Sequence, residues 1–182
     1  MIFVTVGSQE PFDRLIRAID EWAGLRARAD VFAQVAGSTY RAKHIEVTDF
    51  VDPSEFSRRV EGAAVVVAHA GMGSIISALE LGKPIVVMPR RANLRETRND
   101  HQVATAGRFG QQGRVIVAQD EQELGVKLDQ AIALRRTHRI NAEASSQLLT
   151  TIRAFLDESF CQQQSRIQVE PNARQRGGLR SY

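Results

Sequence analysis

The sequence predicts an α/β fold, a Rossmann-like doubly wound parallel sheet, on three observations. Short β-rich runs alternate with segments of helical periodicity, the pattern of successive βαβ units with right-handed crossovers. Two of the runs, Val65-Val66-Val67-Ala68 and Ile85–Met88, are apolar without alternation, as strands covered by helices on both faces must be. The 182 residues are 43% hydrophobic and 25% charged, a globular balance that fits one domain and lets a chain of this size bury roughly 70% of its unfolded surface.

The elements follow in order. Ile2-Phe3-Val4-Thr5-Val6 is a strand ending at Gly7. Pro11 suits the first turn of a helix, where its missing N–H costs nothing, and Phe12, Leu15, Ile16, Ile19 and Trp22 recur at helical spacing. Val31–Ala36 and Ile45–Val51 are the next strands, and Asp52-Pro53 opens a short helix through Val60. The buried run Val65–Ala68 leads into His69-Ala70-Gly71-Met72-Gly73-Ser74 and a helix over Ile75–Leu81, stopped by Gly82 and Pro84. After Ile85–Met88 a polar stretch, Arg90 to Asn99, precedes a helix from about Asp100 to Phe109. Val115–Val117 is the last strand, and helices follow over Glu121–Leu134 and Arg139–Phe160. The domain is expected to span 1–160.

Composition excludes several classes. The single cysteine, Cys161, leaves no internal disulfide and no cysteine-based zinc site. No apolar run reaches the ~20 residues of a membrane helix, and the N-terminus has neither a basic n-region nor a cleavage site, so a cytoplasmic protein is expected. The net charge is +3, all of it in 161–182, where Arg166, Arg174, Arg176 and Arg180 face only Glu170. This basic tail reads as a solvated, poorly ordered terminus, or else as a weak contact for anionic lipid headgroups. Aromatics are only 6% and no nucleic-acid motif accompanies the charge, so no nucleic-acid partner is expected.

In doubly wound sheets ligands sit beyond the carboxyl ends of the strands, and four loops leave strands there. In His69–Ser74, glycines allow close backbone approach, and the free N–H groups and dipole of a helix start favour a phosphate or diphosphate. The alternative is a tight turn with Ser74 as the helix cap. Gly7-Ser8-Gln9 is a second N–H-rich turn beside it. The P-loop pattern is absent at Gly82-Lys83-Pro84, and Ile76 stands where a dinucleotide fingerprint needs its third glycine; Arg90-Arg91 could still imitate an NADP reader. Asn99-Asp100-His101-Gln102 offers donors and acceptors for sugar hydroxyls, or else caps a helix. The cluster Arg90, Arg91, Arg95, Arg98, opposed only by Glu96, reads as a solvated loop or as an anion site for a carboxylate, a lipid-linked diphosphate or an acidic partner. His101 has no metal-spaced companion, and His44 and His138 read as surface residues.

His69–Ser74, Leu81–Pro89 and Asn99–Gln102 together resemble the C-terminal domain of family 28 glycosyltransferases. Val4-Thr5-Val6-Gly7-Ser8 followed by Pro11-Phe12-Asp13 resembles the stand-alone catalytic subunits of two-component transferases, more closely those of bacterial capsule and exopolysaccharide synthesis than those of dolichol-linked oligosaccharide synthesis. The match covers about 1–155. The resemblance implies the nucleotide-sugar half of a split GT-B enzyme. It implies that Gly71, Met72, Gly73, Ser74 and His69 hold the diphosphate, with Gly7 and Ser8 closing over it. Phe50 and Val51 would flank the uracil, and Asn99, Asp100, His101 and Gln102 would hold the sugar. Ser77 stands where related transferases often carry a ribose-binding Glu; Glu80, a turn further on, is its stand-in.

The reaction so implied is inverting transfer of glucuronic acid, galactose or N-acetylglucosamine from a UDP-sugar to a lipid-linked saccharide. No cofactor or metal is expected. A membrane-associated acceptor-binding subunit would be the partner, holding the chain at the inner membrane. Glu10 is the local candidate for general base, with the partner as the expected source. The competing readings are a non-catalytic scaffold that activates another transferase, and an NADP-dependent oxidoreductase.

Overall fold

Ile2, Val4 and Val6 face one side of the sheet and Phe3 the other, and all four are buried. The first strand, β1 (Ile2–Thr5), therefore lies at the centre of the molecule. In chain order it is followed by α1 (Asp13–Leu25), β2 (Val31–Gln34), β3 (Glu46–Thr48), α2 (Pro53–Gly62), β4 (Val65–His69) and α3 (Met72–Glu80). Then come β5 (Ile85–Met88), a 3-10 turn at Ala92–Leu94, α4 (His101–Gln111), β6 (Ile116–Val117) and α5 (Glu121–Ala133). All six strands are parallel, in the order β3-β2-β1-β4-β5-β6. This is the predicted Rossmann-like sheet, with its topological switch between β1 and β4.

The computed structural model describes residues 1–134 and Thr150, which is helical. Residues 1–134 fall within one unit, Met1–Ile140. The rest of the predicted helix Arg139–Phe160, His138, Cys161, the tail and the boundary expected at 160 lie outside the described residues. Among the described residues no helix is long and apolar enough to cross a membrane.

Each face of the sheet carries its own core. On one, Leu15, Ile16 and Ile19 of α1 and Leu124 and Leu128 of α5 close over Ile2, Val4, Val67 and Val86. On the other, Val60 of α2, Ile75 and Leu79 of α3 and Ala106 of α4 close over Phe3, Val66 and Val87. At roughly 25 cal/mol per Å² of apolar surface removed from water, these two layers are the main stabilising term. They fix the carboxyl ends of β1, β4 and β5 as a rigid platform.

Three boundaries differ from expectation for local reasons. α3 begins at Met72, not Ile75: Gly71 is the extended residue at φ −86°, ψ 138°, and Gly73 and Ser74 are already helical. β3 covers three residues, because it is an edge strand paired only with β2. Pro11 precedes α1 instead of entering it, since Phe12, at the non-helical φ −140° and ψ 67°, is the cap residue before Asp13. Pro53 does start α2, with the Asp52 carboxylate accepting from Ser54 N (2.8 Å) and Glu55 N (2.9 Å).

Candidate functional site

Beyond the carboxyl ends of β1, β4 and β5 lies a polar cavity of about 600 Å³, walled by Gly7–Glu10, His69, Gly73-Ser74, Arg90 and the Thr97–Gln102 region. The first wall is held from beneath. Thr5 Oγ1 donates to Gln34 Oε1 (2.7 Å) and accepts from Gly7 N (3.2 Å). Gln34 Nε2 donates to the Gly7 carbonyl (2.8 Å) and the Asp49 carbonyl (3.2 Å). Gly7 takes φ +86°, a conformation glycine adopts without a Cβ penalty. With the Gly7 carbonyl fixed on Gln34, the planar peptide aims the Ser8 N–H the opposite way. The N–H groups of Ser8, Gln9 and Glu10 have no protein acceptor among the described residues.

The second wall is the start of α3. Its cap residue, Gly71, has no side chain to offer, so no side chain satisfies the first N–H groups. Ser74 sits in the first turn, is buried, and faces the same cavity. It is not the cap expected of it in the alternative reading, a position that Gly71 takes. A helix start with open N–H groups and a positive dipole end receives an anion.

His69 stands between the two walls. A Cβ on Gly71 would come within 2.1 Å of its Nε2, and one on Gly7 within 2.9 Å of its Cε1. Both glycines are therefore small because the imidazole packs there. Gly71 is at negative φ, so it supplies room and not an unusual backbone. Nδ1 of His69 is buried without a hydrogen-bond partner. Burial first, then the Arg90 charge and more weakly His101, pushes the imidazole down to about 4, against a small upward pull from Thr5. His69 is thus neutral at pH 7 and can donate one N–H without carrying charge.

The third wall joins the end of β5 to α4. Gln102 is buried, and its Oε1 accepts from Arg90 N (3.1 Å). Asn99 accepts from the His101 backbone N–H (3.2 Å) and contacts the His101 ring. Asp100 does not line the cavity: its Oδ1 accepts from Ala92 N (2.9 Å) and pins the 3-10 turn. The capping expected of this stretch thus comes from Asn99, one residue before the α4 cap position.

The arginine cluster is corrected in detail. Arg90 is only 4% exposed, and its guanidinium donates to the carbonyls of Val6 (2.9 Å), Glu10 (2.7 Å) and Pro11 (2.7 Å). Arg91 turns away from the cavity and donates to the Gln119 carbonyl (2.6 Å). Neither is a free anion receptor. Glu96, expected to oppose them, forms a two-pronged bond with Arg14 (2.7 and 2.8 Å) and accepts from Arg91 N (2.9 Å). Arg98, singled out only as a member of the cluster, is the one that joins Arg90 on the cavity wall.

Other predicted positions also lie off the cavity. Phe50 is 63% exposed at the end of β3, and Val51 packs on the core. Ser77 and Glu80 lie further along α3, and Met72 is exposed on its first turn. Sequence reasoning missed Thr5 and Gln34. Their signal was a polar residue near the end of each of two otherwise apolar runs, where burial makes a partner obligatory.

Fold and cavity together define a doubly wound, Rossmann-like domain with a polar cleft beyond the strand ends at its switch point. The chain belongs to the family of glycosyltransferase family 28 C-terminal domains, whose model matches residues 1–158. Solved GT-B transferases share the fold. One is the glycotransferase of kitacinnamycin (21% identity, TM-score 0.53), aligned over 72% of this chain and 34% of that one. The NMR structure of ALG13 is similar at 18% identity and TM-score 0.55, over 78% and 90%. So is the UDP-GlcNAc 2-epimerase of Methanocaldococcus jannaschii, in complex with UDP-GlcNAc and UDP, at 13% and 0.56, over 85% and 44%. The chain spans about a third of the length of the kitacinnamycin enzyme. No curated protein matches the sequence.

Proposed function

We propose that this domain binds a UDP-sugar and is the donor half of an inverting glycosyltransferase acting on a lipid-linked saccharide in extracellular polysaccharide synthesis. One observation carries the reading: two stretches with unpaired backbone N–H groups, Ser8–Glu10 and the start of α3, line one cavity. As the sugar leaves UDP, negative charge grows on the β-phosphate. Donors already aimed at that point stabilise it without reorganisation and without a metal. Ser74 and neutral His69 add side-chain donors to the same group. Gln102 and Asn99, on the α4 side, contact the sugar. The UDP-GlcNAc and UDP bound in the epimerase of similar fold support a uridine nucleotide as the guest. Glucuronate, galactose or N-acetylglucosamine is the sugar. The chain works in the cytoplasm, brought to the inner membrane by an acceptor-binding subunit.

Calorimetry with UDP in EDTA tests this. The expected result is one-site binding of UDP, independent of Mg²⁺, with NADP failing to compete. Ser74→Ala should weaken UDP by about 1–2 kcal/mol. No UDP binding, or binding only with Mg²⁺, overturns the site. Binding of NADP in its place restores the oxidoreductase reading.

A further inference from the structure

Arg90 is the most buried cation described, and it forms no ion pair with any carboxylate among the described residues. The nearest acids act from a distance. Glu10 and Glu96 attract its charge without touching it, and Glu96 is already engaged by Arg14. A buried guanidinium stays ionised and is costly without a counter-charge. Three of its five N–H donors are engaged, and their pattern is specific. All three go to carbonyl oxygens, at Val6, Glu10 and Pro11, which are the two ends of one loop. The guanidinium lies 4.7 Å from the centroid of the Phe12 ring, a favourable cation–π distance. Its backbone N–H is held by Gln102 of α4. One residue thus ties together the loop after β1, the end of β5 and the first turn of α4, three walls of the same cavity.

We propose that Arg90 is a positioning residue for the nucleotide site: its guanidinium clamps both ends of the Val6–Pro11 loop, so that the Ser8–Glu10 amides face the cavity, while its unpaired charge draws an anion into it. Tethering both ends fixes the path of the loop between them, where the Ser8, Gln9 and Glu10 N–H groups have no protein acceptor among the described residues. The charge lacks a carboxylate contact among the described residues, and a diphosphate entering the cavity brings a counter-charge near it without displacing the carbonyls. A charge buried in protein acts over several ångströms. A lysine would keep the charge but could not span three carbonyls, because it lacks the planar fork. This inference rests on the reading of the cavity as a UDP site.

The test compares wild type with Arg90→Lys and Arg90→Gln. UDP affinity is measured by calorimetry at two salt concentrations, the Ser8, Gln9 and Glu10 amides by ¹⁵N NMR, and the fold by urea unfolding. Both variants are expected to lose UDP affinity about tenfold or more. Arg90→Lys should retain the salt dependence of binding, and Arg90→Gln should flatten it. The three amide signals should move or broaden in both, while core signals stay in place. UDP affinity unchanged in both variants overturns the proposal, as does weaker binding with unmoved loop amides and unaltered salt dependence. If Arg90→Gln fails to fold, wild type decides alone. UDP should then shift the Arg90 side-chain N–H signals together with the loop amides, and UDP binding that leaves them unmoved overturns the clamp. Wild type that does not bind UDP at all defeats the proposed function instead.

Discussion

His69 is the residue where packing and chemistry meet. Its imidazole fills the space that Gly7 and Gly71 leave open, and its Nδ1 finds no partner. The sequence marks these glycines as unusual but assigns them to the ligand, because the neighbour that makes them small stands two residues away in one case and across the sheet in the other. Arg90 is misjudged for a similar reason. In the sequence it belongs to a run of loop arginines, and only the fold shows it reaching back to Val6 and Pro11. The lowered His69 value carries a stability consequence. Above pH 6.5 both folded and unfolded states hold the imidazole neutral, and it contributes no pH dependence. Between pH 6.5 and about 4 the unfolded chain takes up a proton that the folded chain refuses, so stability falls as pH falls, by up to roughly 3 kcal/mol. Urea midpoints measured at pH 7 and pH 5 should drop for wild type, and His69→Gln should lose most of that drop. An equal drop in both would mean that another group controls the acid limb.

Helix starts separate structural elements from functional ones. α2 and α5 begin with an aspartate whose carboxylate takes two backbone N–H groups: Asp52 for α2, and for α5 Asp120, which accepts from Gln122 N (3.1 Å) and Glu123 N (3.0 Å). Glu123 returns the favour by accepting from Gln119 N (2.9 Å), so the start of α5 is closed on itself. α3 has none of this. A helix end satisfied by its own side chains has no N–H groups left for an anion. α1 and α3 both start without a side-chain cap, but of the two only α3 opens onto the cavity, so it is the one suited to receive an anion. Asp52-Pro53 and Asp120 are plain in the sequence because capping is local chemistry. The succession of strands and helices along the chain was legible for the same reason: apolar periodicity reports which face is covered. The start of α3 was not, because glycine and serine adopt helical and extended backbone at similar cost and only the packing of Ser74 decides. Asp120→Ala should destabilise the domain by about 1 kcal/mol, read as a lower urea midpoint, since α5 carries the buried Leu124 and Leu128. UDP affinity should not change, because Asp120 lies off the cavity wall. A change in that affinity would mean that α5 couples to the site.

At the scale of the whole molecule the sheet supplies a platform and three walls, and the fourth side of the cavity is open. Every group identified on those walls either donates hydrogen bonds or holds a donor in place, apart from the Glu10 carboxylate. On the proposed reading that equipment stabilises a leaving group, and it leaves the deprotonation of an acceptor hydroxyl unassigned. The chain also spans only about a third of the kitacinnamycin enzyme, but most of ALG13, so the fold is found both as part of a longer chain and nearly by itself. A donor half that stabilises UDP but lacks a committed base should bind nucleotide and not turn over. The expected outcome is that the purified chain binds UDP yet transfers no radiolabelled sugar from a UDP-sugar to extracted lipid acceptor. Membranes bearing an acceptor-binding subunit should restore transfer. Glu10→Gln, which keeps the loop carbonyl that Arg90 holds and removes only the carboxylate, should leave that restored rate within about twofold if the base lies in the partner. A fall of about a hundredfold would place the base on Glu10. Transfer by the isolated chain would remove the need for a second subunit altogether.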